Sequence, residues 1–179
     1  MTGSSVADFH AYAREVLAFV EAHAHYAPFV AFALAFCESL AVVSLFVPAT
    51  FVLLGLSPVI AAGGVPLFPV WAATAAGAAV GDSVSYCVGF HFKGSARQRW
   101  PLNRFPDMLA RGERFFLRYG TLSVFAGRFS GPLRAFVPLV AGMFAMPLFQ
   151  FQMVNITSAM LWALVILGPG AAAVKALGW

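Results

Sequence analysis

Four charged residues interrupt apolar stretches of this 179-residue chain: Glu38, Asp82, Arg128 and Arg134. On insertion scales, an arginine or aspartate at the centre of a membrane-spanning helix costs about 2.5 to 3.5 kcal/mol, so each of these residues needs a partner or water. Arginine binds phosphate oxygens through a planar fork of N–H groups and stays protonated where water is scarce. We therefore predict that Arg128 and Arg134 bind an anionic phosphate group. Glu38 and Asp82 are assigned to proton coupling or charge pairing; Glu38 is the better proton carrier, and Asp82 the better packing residue.

A Gly131-Pro132 pair separates the two arginines. Six residues at about 100° each would place Arg128 and Arg134 on different faces of a straight helix, whereas a break at this pair lets both side chains turn towards one point. Pro132 would then occupy the first position of a second half-helix, whose free N–H groups and positive dipole end face the same place. The alternative is that both arginines form internal ion pairs with the two acidic residues and that these pairs hold the hairpins together. Such pairs do not exclude function, since they could open when a lipid headgroup arrives.

Other polar and small residues are predicted to support this site. Asp82 stands four residues before Tyr86, which places both on one helix face, and the spacing of Gly77 and Gly81 permits close helix approach. Asn155 is expected to form an interhelical hydrogen bond in the last apolar segment. The residues predicted to support the site are Pro48, Thr50, Tyr86, Gly131, Pro132 and Asn155.

The chain shows no arrangement of residues typical of an enzyme. It lacks a Ser-His-Asp pattern, a glycine-rich phosphate loop opening a soluble helix, and a cluster of metal ligands. Cys37 and Cys87 lie inside apolar runs, so neither a disulfide nor a zinc site is expected. We predict no enzymatic activity, no cofactor and no metal.

The overall composition is that of a membrane protein. Hydrophobic residues make up 61% of the chain and charged residues 10%, whereas about a quarter of the residues in a soluble domain are charged. Segments 39–81 and 135–174 contain no Asp, Glu, Lys or Arg at all. Each is longer than the roughly 20 apolar residues that a spanning helix requires.

Proline and glycine divide the apolar chain into segments of two kinds. A helix of about a dozen residues reaches roughly 18 Å, just past the middle of a hydrocarbon core about 30 Å thick, so a segment broken by Pro48 fits a re-entrant hairpin. The predicted layout is an N-terminal amphipathic helix (1–25) and a membrane domain (26–179) with a re-entrant hairpin (about 34–60), a span (about 70–92), a basic cytoplasmic loop (93–118), a second hairpin (about 121–145) and a second span (about 147–174).

The same order, a broken hairpin that carries charge followed by a spanning helix, thus occurs twice. Paired broken segments in two halves indicate an inverted-repeat transporter with a site near the bilayer midplane. The predicted fold class is all-α: a polytopic membrane protein with two re-entrant helical hairpins in an inverted repeat, plus interfacial amphipathic helices. Further interruptions are expected at Gly55 and Pro58 in the first hairpin and at Gly168-Pro169-Gly170 in the last span.

The segment between the two halves is strongly basic. Excess Lys and Arg indicates a cytoplasmic location, and the aromatic residues of the segment favour a helix at the headgroups, where basic residues meet anionic lipid. A basic segment with aromatic residues can also bind nucleic acid, but we reject that alternative because the segment lies between membrane spans. The seven basic residues of the segment are Lys93, Arg97, Arg99, Arg104, Arg111, Arg114 and Arg118.

Taken in order, several short motifs of the chain resemble the DedA family, also called SNARE-associated or VTT-domain proteins. The resemblance covers roughly residues 30 to 165. It implies two re-entrant hairpins that face each other and a role in lipid translocation: bacterial members recycle undecaprenyl phosphate, and eukaryotic relatives scramble phospholipids. By position, Glu38, Arg128 and Arg134 match the charged residues essential in the family. The motifs are Phe36-Cys37-Glu38, Val47-Pro48, Gly81-Asp82, Tyr86, Gly127-Arg128-Phe129, Pro132, Arg134 and Asn155.

One position departs from the family pattern. The family often carries an acidic residue just after the hairpin proline, where this chain has Pro48-Ala49-Thr50. A threonine hydroxyl does not take up or release a proton near neutral pH, so it cannot act as a proton carrier. Proton coupling would therefore depend on Glu38 alone or on Glu38 with Asp82.

The function expected from these observations is a flippase of the bacterial inner membrane that moves undecaprenyl phosphate, bound between the hairpins at Arg128 and Arg134. The alternatives are a phospholipid scramblase, a non-transporting partner of cell-envelope machinery and, less favoured, a proton-coupled exporter of small cations. The expected partners are an anionic lipid and the bilayer, without nucleic acid. Assembly with further copies of the chain stays open.

Overall fold

The computed structural model describes residues 22–40, 43, 49–62, 64–92 and 106–176, and all regular elements in these ranges are helical. The predicted N-terminal helix (1–25) therefore lies almost entirely outside the described residues. A short 3₁₀ helix (Ala24–Tyr26) precedes the first α-helix. The α-helices are α1 (Ala27–Ser39), α2 (Ala49–Ala62), α3 (Leu67–Phe92), α4 (Pro106–Tyr119), α5 (Leu122–Gly127), α6 (Phe136–Met143) and α7 (Leu148–Ala176).

Helices α3 and α7 stand where the two spans are predicted. Leu67–Phe92 and Leu148–Ala173 are apolar enough and, at 26 residues each, long enough to cross a membrane. At 1.5 Å per residue such a helix reaches about 39 Å, more than the roughly 30 Å of the hydrocarbon core. The expected interruption at Gly168-Pro169-Gly170 is wrong, because α7 continues to Ala176. An exposed proline removes one backbone donor, and the neighbouring turns keep the helix intact.

Large apolar side chains cover the outer faces of both long helices. On α7 the exposed fraction of Phe149 reaches 77%, which would be unfavourable in water but suits lipid. The exposed residues of this kind are Phe68, Val80, Val84, Val88 and Phe90 on α3, and Leu148, Phe149, Met153, Ile156, Met160, Leu161, Leu164 and Val165 on α7.

Shorter helices occupy the segments where hairpins are predicted. Helices α1 and α2 have 13 and 14 residues and reach about 20 Å each, too little to cross the core alone. The first begins at Ala27, seven residues before the predicted start of the hairpin, and α2 runs through Pro58 without a break. Pro48 lies outside the described residues.

The second such segment is broken as predicted. Helix α5 ends at Gly127, a 3₁₀ helix follows over Gly131–Ala135, and α6 begins at Phe136. Gly131 has φ +58°, a left-handed conformation that glycine adopts without steric cost. Pro132 is the second residue of the 3₁₀ helix, where its missing N–H has no partner to lose. The half-helix predicted after the break therefore starts as a 3₁₀ turn.

The basic segment contains the amphipathic helix α4. Leu109 and Gly112 of this helix are buried, and Gly112 faces Val140 and Phe136 of α6. The opposite face exposes three arginines: Arg111, Arg114 and Arg118. Residues 93–105 of the predicted loop lie outside the described part of the chain.

Helix α3 packs against both α1 and α6 through glycines. A Cβ on Gly77 or Gly81 of α3 would collide with the backbone of α1. The two helices thus approach as closely as the spacing of these glycines predicts. Gly142 of α6 is equally tight, because a Cβ there would lie 2.7 Å from the backbone nitrogen of Phe90. Helix α6 is buried from Phe136 to Gly142, so it forms the centre of the second half.

We expect Gly142→Ala to lower the stability of the fold, because the added methyl group must push α6 away from α3. Overpacking of this kind costs about 1–3 kcal/mol. Gly55→Ala is the matched control, since a Cβ at Gly55 would meet nothing within 4 Å. Thermal unfolding of the purified proteins in detergent checks this; equal unfolding temperatures for both variants would contradict the packing described here.

Candidate functional site

Arg128 lies directly after the end of α5 and is almost completely buried, with 3% of its surface exposed. Its Nη2 forms a buried ion pair with the Asp82 carboxylate of α3. The same nitrogen donates to Asn155 Oδ1 at 2.6 Å, and Nε donates to Ser158 Oγ at 3.0 Å, both on α7. The arginine thus ties the helix break to both spanning helices.

Arg134 lies in the 3₁₀ helix and forms the second ion pair. Its Nη1 is 3.2 Å from Glu38 Oε1 of α1, and Nη2 donates to Ser39 Oγ at 3.2 Å. Nη1 also lies 3.4 Å from the Thr50 hydroxyl of α2. The guanidinium carbon stands 4.2 Å from the ring centre of Trp162 on α7, a cation–π contact that adds to the ion pair.

The structure shows the internal ion pairs that the sequence analysis gave as the alternative: Arg128 with Asp82, and Arg134 with Glu38. The break turns both arginines into the protein interior, as predicted, but each meets its own carboxylate. Arg134 donates to Ser39, and Ser39 packs against Gly81, the residue before Asp82, so the two pairs form one cluster. Both arginines belong to the second half of the chain and both acids to the first. The cluster therefore lies where the two halves meet.

Two polar atoms in the cluster have no hydrogen-bond partner among the residues that the structure describes: Glu38 Oε2 and Arg128 Nη1. Thr50 donates its hydroxyl proton to Glu38 Oε1, which leaves the second oxygen of that carboxylate unsatisfied. A buried polar group without a partner costs about 1–3 kcal/mol. The cluster thus has hydrogen-bonding capacity that its present contacts do not use.

Asn155 connects the two long helices. Its Nδ2 donates to the Ala79 carbonyl at 2.9 Å, while Oδ1 accepts from Arg128. The neighbouring pair Ser83 and Gln152 adds a second link, with Gln152 Nε2 donating to Ser83 Oγ at 2.9 Å. The predicted interhelical role of Asn155 is confirmed, and the residue additionally orients an arginine.

Tyr86 lies apart from the ion pairs, although it shares a helix with Asp82. Its hydroxyl donates to the Met146 carbonyl at 2.5 Å, and its ring stacks on Phe151 at 4.4 Å between centres. Tyr86 therefore fixes the connection between α6 and α7. Its support of the site is indirect.

Sequence reasoning missed three contacts of the arginines, made by Ser39, Ser158 and Trp162. Ser39 and Ser158 are polar residues in apolar runs, which is a weak signal because serine packs readily inside membrane helices. Nothing in the sequence around Trp162 links it to an arginine. Its position above Arg134 depends on how α7 packs, which local sequence does not encode.

We expect the Asp82–Arg128 pair to be essential for stability. Asp82→Asn or Arg128→Gln leaves one charge buried without its partner, a change that costs about 3–5 kcal/mol in other proteins. The double variant removes both charges, so its loss should be smaller than the sum of the two single losses. Denaturant unfolding in mixed micelles measures these values.

Arg114→Gln on the exposed face of α4 is the control, with an expected change within about 0.5 kcal/mol. Strictly additive losses for the Asp82 and Arg128 variants would show that the two side chains do not interact.

Comparison with known proteins identifies related sequences. The family described as VTT domain matches residues 47–172. The inner membrane protein YabI of Escherichia coli (strain K12) is 35% identical over 137 residues, which cover 76% of this chain and 54% of that protein. An uncharacterized membrane protein of Buchnera aphidicola subsp. Acyrthosiphon pisum is 33% identical over 135 residues, covering 75% of this chain and 53% of its own length.

A third relative is the inner membrane protein YghB of Escherichia coli (strain K12), 31% identical over 139 residues, with 77% of this chain and 64% of that protein covered. No solved structure matches the chain. The chain spans about half the length of the first two relatives. Because the domain match covers residues 47–172, from just before α2 almost to the end of α7, and takes in Thr50, Asp82, Arg128 and Arg134, the chain belongs to the VTT-domain (DedA) family of membrane proteins.

Proposed function

We propose that this protein is a lipid flippase of the bacterial inner membrane, and that its substrate is undecaprenyl phosphate. The observation that carries the proposal is the buried cluster of two arginines at a helix break, each held by an acidic side chain that a phosphate group can replace. A multi-pass position in the cytoplasmic membrane accords with the relatives that are named inner membrane proteins. The proposal involves no chemical conversion of the lipid.

Exchange of carboxylate for phosphate is chemically favourable at this site. A phosphate offers more acceptor oxygens than a carboxylate and binds the guanidinium fork through two parallel bonds. Arg128 Nη1 has no partner in the closed cluster, so an entering phosphate satisfies a donor that is otherwise unmet. This difference favours lipid binding without any loss of hydrogen bonds by the arginines.

The placement of the short helices supports a pathway through the protein. Helices α1 and α2, like α5 and α6, are too short to cross the bilayer singly, and we propose that each pair forms a re-entrant hairpin in an inverted repeat. Irregular backbone at membrane depth is tolerated where protein or a watery cavity surrounds it. In such transporters the substrate site lies at the interface of the repeats, and the arginine cluster joins the two halves.

Lipid access and orientation follow from the surface. The apolar outer faces of α3 and α7 allow the polyprenyl tail to stay in the bilayer while the phosphate enters the protein. We propose that α4 lies at the cytoplasmic headgroups; its exposed arginines support this, because basic segments remain on the cytoplasmic side. The same exposed face is the observation that favours the second candidate, a non-transporting partner that docks other envelope proteins through α4.

We expect Arg134→Ala and Arg128→Ala to reduce lipid movement by roughly tenfold or more, because loss of a buried charged contact costs about 2 kcal/mol or more. Arg134→Lys keeps the charge but lacks the planar fork, so it should also be impaired. The measurement uses purified protein in liposomes that contain labelled undecaprenyl phosphate and labelled phosphatidylethanolamine. Circular dichroism establishes that each variant remains folded.

The control variant is Arg111→Ala with Arg114→Ala, which should move lipid at the wild-type rate. Wild-type rates for folded Arg128 and Arg134 variants would refute a phosphate site at the cluster. Equal movement of both labelled lipids would identify a scramblase. A functional loss in cells that follows only the α4 variants would favour the docking role.

A proton is expected to enter as the lipid binds. When phosphate takes Arg134, the Glu38 carboxylate is left in apolar surroundings without its counter-charge, and protonation relieves that cost. Glu38→Gln cannot take up a proton, so we expect its lipid movement to ignore an imposed pH gradient to which the wild type responds. Fluorescent lipid assays in liposomes with and without the gradient measure the response.

Asp107→Asn provides the matched control, because it makes the same change from carboxylate to amide on the exposed surface of α4. This variant should respond like the wild type. A full response by Glu38→Gln, or loss of the response only in Asp82→Asn, would remove Glu38 from this role.

A further inference from the structure

Trp162 of α7 contacts Arg134 through the face of its ring. The guanidinium carbon of Arg134 lies 4.2 Å from the ring centre, well inside the distance of about 6 Å at which the electron-rich face of tryptophan attracts a cation. Only 3% of Trp162 is exposed, and it belongs to the same buried apolar cluster as Ala35 of α1 and Leu53 of α2. The contact is therefore shielded from water, where such an attraction is strongest.

The oxygen atoms that contact Arg134 come from the other half of the chain. Its Nη1 meets Glu38 of α1 and Thr50 of α2, and its Nη2 meets Ser39 of α1. These three residues belong to the first half, whereas Trp162 belongs to the second half, as Arg134 does. The arginine can therefore exchange its oxygen partners while the ring contact stays in place.

The backbone that carries Trp162 is fixed to the neighbouring span. Two residues before it, the Met160 carbonyl accepts a hydrogen bond from Trp71 Nε1 of α3 at 3.0 Å. About two turns before it, Asn155 donates to the Ala79 carbonyl of α3 at 2.9 Å. The indole ring is thus a fixed support rather than a group that would move with Arg134.

A guanidinium that leaves its carboxylate in an apolar interior loses its counter-charge, which is unfavourable. The face of an aromatic ring offsets part of this loss. Both terminal nitrogens of Arg134 meet oxygen atoms while its carbon lies over the ring. The ring therefore leaves these nitrogens to oxygen partners, so a phosphate and the indole can hold the same guanidinium group together.

We propose that Trp162 is a positioning residue that holds Arg134 in place independently of Glu38. Under the proposed function, on which this purpose rests, the ring keeps the arginine at the site while Glu38 gives way to the lipid phosphate. Trp162 acts on the phosphate only through Arg134. Without the ring, an arginine released by its carboxylate would have no fixed position at which to meet the lipid.

Fluorinated tryptophans test the ring contact. Each fluorine atom draws electron density out of the indole ring and weakens its attraction for a cation, while the ring keeps nearly the same shape. Trp162→Leu would also leave space in the core, so the series introduces tryptophan with an increasing number of fluorine atoms at position 162 alone. The matched control is the same series at Trp71, which contacts α7 through its Nε1–H group.

Thermal unfolding measures the contact without reference to transport. The unfolding temperature should fall by about 2 °C or more for the most fluorinated ring at position 162 and should not change in the Arg134→Gln background, where no cation faces the ring. In the Glu38→Gln background the fall should be at least as large as in the wild type. A fall that disappears in Glu38→Gln would overturn the inference, and so would an equal fall in Arg134→Gln.

Lipid movement in the liposome assay tests the purpose of the contact. The rate should decrease stepwise with fluorination at position 162, by roughly tenfold or more for the most fluorinated ring, the factor that corresponds to a desolvated cation–π contact. The series at position 71 should keep the wild-type rate. A wild-type rate throughout the series at position 162, or an equal loss at both positions, would overturn the inference. If the unmodified protein moves no lipid at all, the proposed function fails, and the unfolding series still decides whether Trp162 holds Arg134.

Discussion

Two guanidinium groups in an apolar interior must be neutralised where they lie, because neither can lose its proton and water is scarce. In this protein the neutralising carboxylates come from the other half of the chain. The two halves are therefore held together by charge as well as by packing. Close contact through Gly77, Gly81 and Gly142 lets the helices approach near enough for these pairs to form.

The ion pairs join the two halves, yet their hydrogen bonding is incomplete. Within the described part of the chain, Arg128 and Glu38 each retain one buried polar atom without a partner. Continuum arguments show that a buried ion pair repays its desolvation only when its remaining hydrogen bonds are satisfied. A cluster of this kind adds less stability than its short contacts indicate. That property is unsuited to a purely structural core and well suited to a site whose partners are exchanged.

Local signals in the sequence predicted much of this arrangement. The apolar runs located α3 and α7, and Gly131-Pro132 located the break, since both depend on residues close together in the chain. Proline gave a weaker signal. Helices α2 and α7 continue through Pro58 and Pro169, because each proline removes only one backbone donor and the neighbouring turns keep the helix intact. Pro28 lies in the first turn of α1, where proline is common, and it was a sequence signal for the early start of this helix.

What the sequence did not determine was which groups meet across the fold. Residue types alone allowed Arg128 to bind lipid, Glu38 or Asp82, and the choice depends on how α1, α3 and α7 pack. The same holds for Trp162 above Arg134 and for Tyr86, whose hydroxyl bonds to the Met146 carbonyl. Contacts over 28 to 96 positions along the chain leave no periodic pattern that could be recognised locally.

Thr50 shows how one such contact changes the chemistry of the cluster. At position 50, where the family resemblance implies an acidic residue, the threonine hydroxyl donates to Glu38 and lies 3.4 Å from Arg134 Nη1. The hydrogen-bond geometry is kept while a negative charge is absent, so Glu38, Asp82, Arg128 and Arg134 sum to zero formal charge. Under the proposed function, an entering phosphate would make this cluster negative, and apolar surroundings oppose a net charge. Glu38, to which Thr50 is bonded, is the carboxylate that we propose takes up the neutralising proton.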